Sequence, residues 1–360
     1  MTRLDQAPEI IELASQLGVG SDAPVNSILD YCRRRIDGWV AEIGGVTDIE
    51  QLESLVTQRL QMAFEEIRSE EDFERLTEEY ARVKKQGVFG GLRSKFDDAD
   101  NLTYGALIEL RNVAIDAPVR FVGVIDIRGT KLARRFFTRW HEIAHRLTTH
   151  AFHGEPAYRS EDDPLEQLMD EIAGHIGFYG PLFDPVFEAA KGGRELLTFS
   201  TVEAVVRHGF PTASFQATLN ACTRRLTTPV IYLEAALAHN KQGRRRLATP
   251  SLFGDDPPLG ELRAIRVRAN DAAFKEQFYI PENMRVPADS VMHRLFDAAP
   301  LTNGERQEDL SQWESKGKPL EGRAVAVEAR KVPGRVIAIV QPVEAVRQKK
   351  RQASKAMFLE

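Results

Sequence analysis

From residue 1 to about residue 85 the apolar positions recur at steps of three and four, the spacing that gathers them on one face of a helix. In "IEQLESLVTQRLQMAFEEI" the stripe is Leu52, Leu55, Val56, Leu60 and Phe64, with charge opposite it. The next run, "SEEDFERLTEEYARVKK", begins acidic and ends in lysines, as the helix dipole favours. Glycines and polar residues in "QGVFGGLRSKFDDADN" break the period. After it, "YGALIELR" and "RFVGVIDIRG" read as two short strands. A helix is predicted from about Leu132, where Phe136, Trp140, Ile143 and Leu147 fall at steps of four, three and four and give it one apolar face.

A second helix is announced by Asp163 as N-cap and Pro164 at its first position; its stripe is Leu165, Leu168, Met169, Ile172, Ala173 and Ile176. "FSTVEAVVRHGF", with Ser200 and Glu203 at capping-box spacing, and "ASFQATLNACTRRL" predict two more. From about residue 250 the style shifts: "ELRAIRVRAND", "QFYIP", "RAVAVEARKV" and "RVIAIVQPV" read as strands between Pro-rich and Gly-rich turns. The prediction is an α+β chain with an N-terminal helical region over 1–90, a central domain over 91–245, a β-containing domain over 250–345 and a basic tail over 346–360. A length of 360 residues, more than one core usually serves, agrees with several units.

Composition narrows the function classes. A net charge of -5 argues against a whole-surface nucleic-acid footprint, so no direct nucleic-acid partner is expected, and "TRRLTT" and "RQKKRQ" read as solvated surface. Cys32 and Cys222 are too far apart in sequence to suggest a disulfide framework or a cysteine-based zinc site. The N-terminus lacks a continuous apolar segment, and no later stretch reaches about 18 unbroken apolar residues, so a cytoplasmic protein without a membrane span is expected.

The candidate chemistry lies in "RRFFTRWHEIAHRL". Residues i and i+4 of a helix share a face, so His141 and His145 can direct ring nitrogens at one cation, and Glu142, turned about 100° away, can take a proton from a metal-bound water. The motif is short enough to recur by chance, and what lifts it is the separate apolar face carrying Phe136 and Trp140. Catalytic zinc takes three protein ligands and keeps one position for water, so a third ligand is required. The longer HExxHxxGxxH pattern is excluded, since Thr148 and Ala151 stand where it needs glycine and histidine, and His150 and His153 are off register. Three carboxylates on the next helix remain: Glu166, Asp170 and Glu171. Glu166 and Asp170 share one face, and Gly174 and Gly177 continue it, allowing close approach to the motif helix. A ligand at Glu166 would have Asp170 beside it to hold a ligating histidine by its other ring N–H. Glu166 also stands three residues after Asp163, where it could instead close a capping box.

These segments resemble the ImmA/IrrE-type metallopeptidases, cytoplasmic bacterial proteins related to zincins. The resemblance rests on "RRFFTRWHEIAH", the preceding "FVGVIDIRG" and the later "EQLMDEIAGHI", and it extends over about residues 100 to 235. It implies a zincin-like core: a small sheet with the HExxH helix and a ligand helix. It further implies His141, His145 and Glu166 as Zn2+ ligands, Glu142 as general base and Asp170 as the supporting carboxylate. Family members with known roles cut helix-turn-helix repressors, so the expected partner is a protein substrate of that kind, in a stress or mobile-element response. The alternative expectation is a catalytically inactive zincin-like regulatory or binding protein.

Overall fold

In the computed structural model, which describes residues 4–82, 93, 96–97, 104–110, 113–148, 163–239, 260–298, 303–315 and 317–343, the helical stripe predicted through Phe64 ends at Arg59. Helices α1 (Pro8–Gln16) and α2 (Pro24–Glu42) precede α3 (Ile49–Arg59), whose N-cap Asp48 accepts from the Gln51 amide at 2.8 Å. Gln61 then turns left-handed, with φ 54°, and residues Met62–Ile67 form strand β1 rather than more helix. Helix α4 (Glu70–Arg82) follows as predicted.

Strands β2 (Gly105–Glu109) and β3 (Phe121–Asp126) appear where the sequence placed them. The sheet order is β1-β3-β2, with β1 parallel and β2 antiparallel to the central β3. The stretch through α4 supplies the long connection that parallel pairing needs. Under one face, Ile67, Ala106, Ile108, Val122 and Val124 pack with Phe73 and Leu76 of α4 and with Phe96. The other face carries Phe64, Glu66 and Gly105 toward α5 (Arg135–Thr148), which follows a 3-10 turn at Gly129–Arg134.

The apolar face of α5 is buried as its spacing required: Phe136, Trp140, Ile143 and Leu147 are all at or near zero exposure. Arg139 fixes the helix to the sheet, stacking 4.2 Å above the Phe64 ring and bonding to Glu66 at 3.0 Å and to Glu53 of α3 at 2.9 Å. Helix α6 (Pro164–Ile176) packs on α5 and starts at the predicted cap, Asp163 accepting from the Leu165 amide at 2.8 Å. Helices α7 (Gly180–Lys191), α8 (Phe199–Gly209) and α9 (Phe215–Arg225) follow. The cap of α8 is Thr198, whose hydroxyl accepts from the Thr201 amide at 3.2 Å; Ser200, predicted in that role, is already inside the helix. Around Phe178 the rings of Phe136, Phe183 and Phe210 lie at centroid distances of 5.2 to 5.4 Å, pairs worth about 0.5–1.5 kcal/mol each beyond their buried area.

Helix α2 ties both ends of this arrangement. Arg35 donates to the Leu147 carbonyl at 2.9 Å, at the end of α5, and Tyr179, just past α6, donates to Asp37 at 2.7 Å.

The chain divides into two compact units, Met1–Ala190 with Glu203–Ala221, and Lys191–Val202 with Cys222–Glu360. Helices α1 to α3 and strand β1 fall in the same unit as the sheet and α5. Among the described residues the second unit is built on a five-stranded antiparallel sheet of order β5-β4-β10-β9-β6, from β4 (Ile231–Ala238), β5 (Glu261–Ala269), β6 (Asn303–Asp309), β9 (Ala324–Val332) and β10 (Arg335–Pro342); the two-residue β7 (Glu314–Ser315) and β8 (Lys318–Pro319) pair with each other. One sheet face packs Leu233, Val327 and Ala338 with Phe278, Ile280, Met292 and Leu295 from the segments that include α10 (Asp271–Lys275) and α11 (Val291–Asp297). "QFYIP", predicted as a strand, is instead a loop that inserts Phe278 and Ile280 into this core after a left-handed Gln277. Together the units make an α+β protein. Among the described residues no helix is long and apolar enough to cross a membrane. The basic tail, His150 and His153 lie outside the described residues.

Candidate metal centre

The burial of Trp140, Ile143 and Leu147 rotates the other side of α5 toward α6, and this places His141 and His145 opposite the first turn of α6. Three donor atoms converge there. The Nε2 atoms of His141 and His145 are 3.2 Å apart, and Glu166 Oε2 lies 3.1 Å from the first and 3.5 Å from the second. Glu166 therefore turns toward the imidazoles rather than back toward its own helix start. Such a group can hold a metal ion.

The other ring nitrogen of His141 is held as well. Its Nδ1 is 2.8 Å from Asp170 Oδ1, and since an ionised carboxylate can only accept, the ring carries a proton on Nδ1 and aims Nε2 at the shared point. Asp170 itself stays 56% exposed and outside the converging triad. Glu171, the third carboxylate weighed from the sequence, is not in the group.

Three lone-pair atoms this close repel one another unless a proton or a cation sits among them. Without a cation the proton falls to His141: burial opposes its charged form, but the bonds to Asp170 and Glu166 prevail and push it up to about 10. Burial acts against ionised Glu166 too, and the two histidines overcome it, holding its carboxyl well below the usual range. A divalent cation would replace that proton and satisfy all three atoms at once.

Glu142 lies beside the triad and is only 5% exposed. Burial pushes its carboxyl up, with partial relief from His145 and His141. It is roofed by the start of β2, where a Cβ at Gly105 would stand 2.6 Å from Glu142 Oε1. No protein-family model and no curated protein matches the chain.

The structure also shows groups that the sequence reading did not single out. Arg139, Glu66 and Glu53 fix the α5 register on the sheet, and Arg35 and Asp37 reach the α5 and α6 ends from α2. Their partners lie tens of residues or more away in sequence, so no local pattern marks them. Gly105 did carry a signal, a glycine inside an apolar strand, which often marks close approach of another group. No candidate for stabilising an oxyanion stands out among the described residues near the triad: Tyr179 spends its hydroxyl on Asp37, and His208 is exposed on α8 outside the triad.

Proposed function

We propose that the chain is a zinc-dependent endopeptidase acting on a protein substrate, with His141, His145 and Glu166 holding Zn2+ and Glu142 as general base. The observation that carries the reading is the triangle of donor atoms, with edges of 3.1, 3.2 and 3.5 Å. Zinc bonds of 2.0–2.1 Å in a tetrahedron set ligand-to-ligand edges at about 3.3–3.4 Å. Edges of this size fit three ligands of one zinc ion, which His141, His145 and Glu166 would hold. Two imidazoles and one carboxylate are also a known donor set for catalytic zinc.

Zinc held there supplies a Lewis acid and lowers the pKa of its water toward neutrality. Glu142, beside the triad and with its own pKa raised by burial, accepts the proton of the attacking water and returns it to the leaving amine. Asp170 keeps His141 in the tautomer that presents Nε2. Strand β2 ends its sheet among the described residues, and its edge beside Glu142 offers backbone groups with which an extended peptide can pair. The resemblance to ImmA/IrrE-type metallopeptidases supports a helix-turn-helix repressor as the substrate class and a cytoplasmic setting.

The test is metal analysis of the purified protein together with Glu142→Gln. Stoichiometric zinc in both proteins, with cleavage of a repressor encoded next to this chain lost only in the variant, is the expected result. Protein without stoichiometric zinc would refute the metal assignment. Zinc retained with Glu142→Gln fully active would refute the role of Glu142, and zinc without any cleavage would favour a regulatory protein instead.

A further inference from the structure

We infer that Gly105 is a positioning residue for Glu142, the hydrogen in place of its side chain being what lets the carboxylate lie under the end of β2. The inference rests on the peptidase reading for its functional meaning and on the packing for its geometry. Thr138 and Glu142 are one helical turn apart on α5, both buried, and both face the first residue of β2. A Cβ at Gly105 would lie 2.6 Å from Glu142 Oε1, 3.2 Å from Glu142 Cδ and 2.7 Å from Thr138 Cγ2.

The strand is the less yielding partner. Next to Gly105, the Tyr104 carbonyl accepts from the Asp126 amide at 2.9 Å, and the Arg134 guanidinium stacks 4.1 Å above the Tyr104 ring. Gly105 itself is paired with Ile125 on the central strand. Glu142, by contrast, reaches the strand with the far end of a flexible side chain. An alanine at 105 should therefore move the carboxylate, and turn the Thr138 methyl aside about its single side-chain torsion, rather than move the sheet. Restoring an ordinary carbon-to-oxygen contact of about 3.3 Å requires a displacement of about 0.7 Å. Catalytic groups tolerate about 0.5 Å, and a 1 Å error costs about a hundredfold in rate.

Three measurements on Gly105→Ala test this: its crystal structure, its zinc content, and its steady-state kinetics on fluorescently labelled casein. The expected result is a Glu142 carboxylate moved away from residue 105 with β2 in place, zinc content unchanged, and kcat lowered about 10- to 100-fold at unchanged KM. A strand that retreats while Glu142 keeps its position, or an unchanged kcat, would overturn the inference. Should Gly105→Ala fail to fold, Glu142→Ala is added: recovery of folding supports Glu142 as the obstructed group, and failure to recover even with Thr138→Ser overturns it. If the unsubstituted protein holds zinc but leaves casein intact, the peptidase reading is decided on the neighbouring repressor, whereas the crystal structure still decides the role of Gly105.

Discussion

Asp170 is the residue whose substitution tells the proposed metal centre apart from two histidines that happen to share a helix face. Its Oδ1 is 2.8 Å from His141 Nδ1, while the donor atoms that converge belong to His141, His145 and Glu166. Asp170→Ala should therefore leave every ligand in place and still weaken metal binding, because His141 loses the group that fixes its tautomer and ring orientation. Losing such a partner typically costs about 10- to 100-fold in affinity. Asp170 is 56% exposed, so water can replace part of what is lost, and the low end is expected: about tenfold, or about 1.4 kcal/mol. Asp170→Asn keeps an acceptor oxygen and should lose less. Competition against a chromogenic chelator at fixed pH measures all of these, with Glu166→Gln as the ligand-loss reference and Glu171→Gln as the control. The reasoning fails if Asp170→Ala binds zinc as tightly as the unsubstituted protein, or if Glu171→Gln weakens binding more than Asp170→Ala does.

Further outcomes follow from the same structure. His141 holds its proton up to about 10 without a cation, so binding must release that proton; zinc affinity should climb with pH by up to about tenfold per unit below that value, and a pH-independent affinity in the competition assay would contradict this. Asp126 is buried, which disfavours its charged form, but bonds from Arg128 at 2.9 Å and Lys131 at 2.6 Å outweigh that and hold its carboxyl below the ordinary range. Because the folded value is depressed, its stabilisation is present above about pH 4 and fades as pH falls through the folded value; Asp126→Asn should cost about 3 kcal/mol in urea unfolding at neutral pH, and a deficit that does not shrink in acid would be the wrong result. Gly177 has ordinary helical dihedrals, so alanine would usually stabilise there, but its Cβ would lie 2.9 Å from Trp140 ring atoms and from the Ala173 carbonyl. Gly177→Ala should destabilise by about 1–3 kcal/mol in urea unfolding, and a gain in stability would show that the close packing of α6 on Trp140 is misread.

What the sequence disclosed was local. The faces of α5 and α6, the Asp163 cap and strands β2 and β3 follow from period and local signals, but these left Glu166, Asp170 and Glu171 open as the third member of the group, and it is the packing of α6 on α5 that brings Glu166 to His141 and His145. Strand β1 was not legible, because Phe64 fits the helical stripe as well as a strand; pairing with β3, about 60 residues later, decides the matter. Strand β6 is a polar, charged edge, "NGERQED", with no apolar alternation to reveal it. In "QFYIP" the apolar residues belong to a core-filling loop, and hydrophobicity alone cannot tell that from a strand. Thr198 and Ser200 are equally good caps by residue type, and only the start of the helix at Phe199 chooses between them.

The bonds from α2 to the ends of α5 and α6 have a consequence for how the protein is made. Arg35 and Asp37 emerge from the ribosome more than a hundred residues before the Leu147 carbonyl and the Tyr179 hydroxyl that they engage. Strand β1, whose Glu66 holds Arg139 of α5, likewise waits for a partner about 60 residues downstream. On the proposed reading, metal loading would be a late step that follows closure of the whole first unit. Retention of the proposed ion would then be a gauge of folding: a substitution in α2 that touches none of His141, His145 and Glu166 would register first as lost metal.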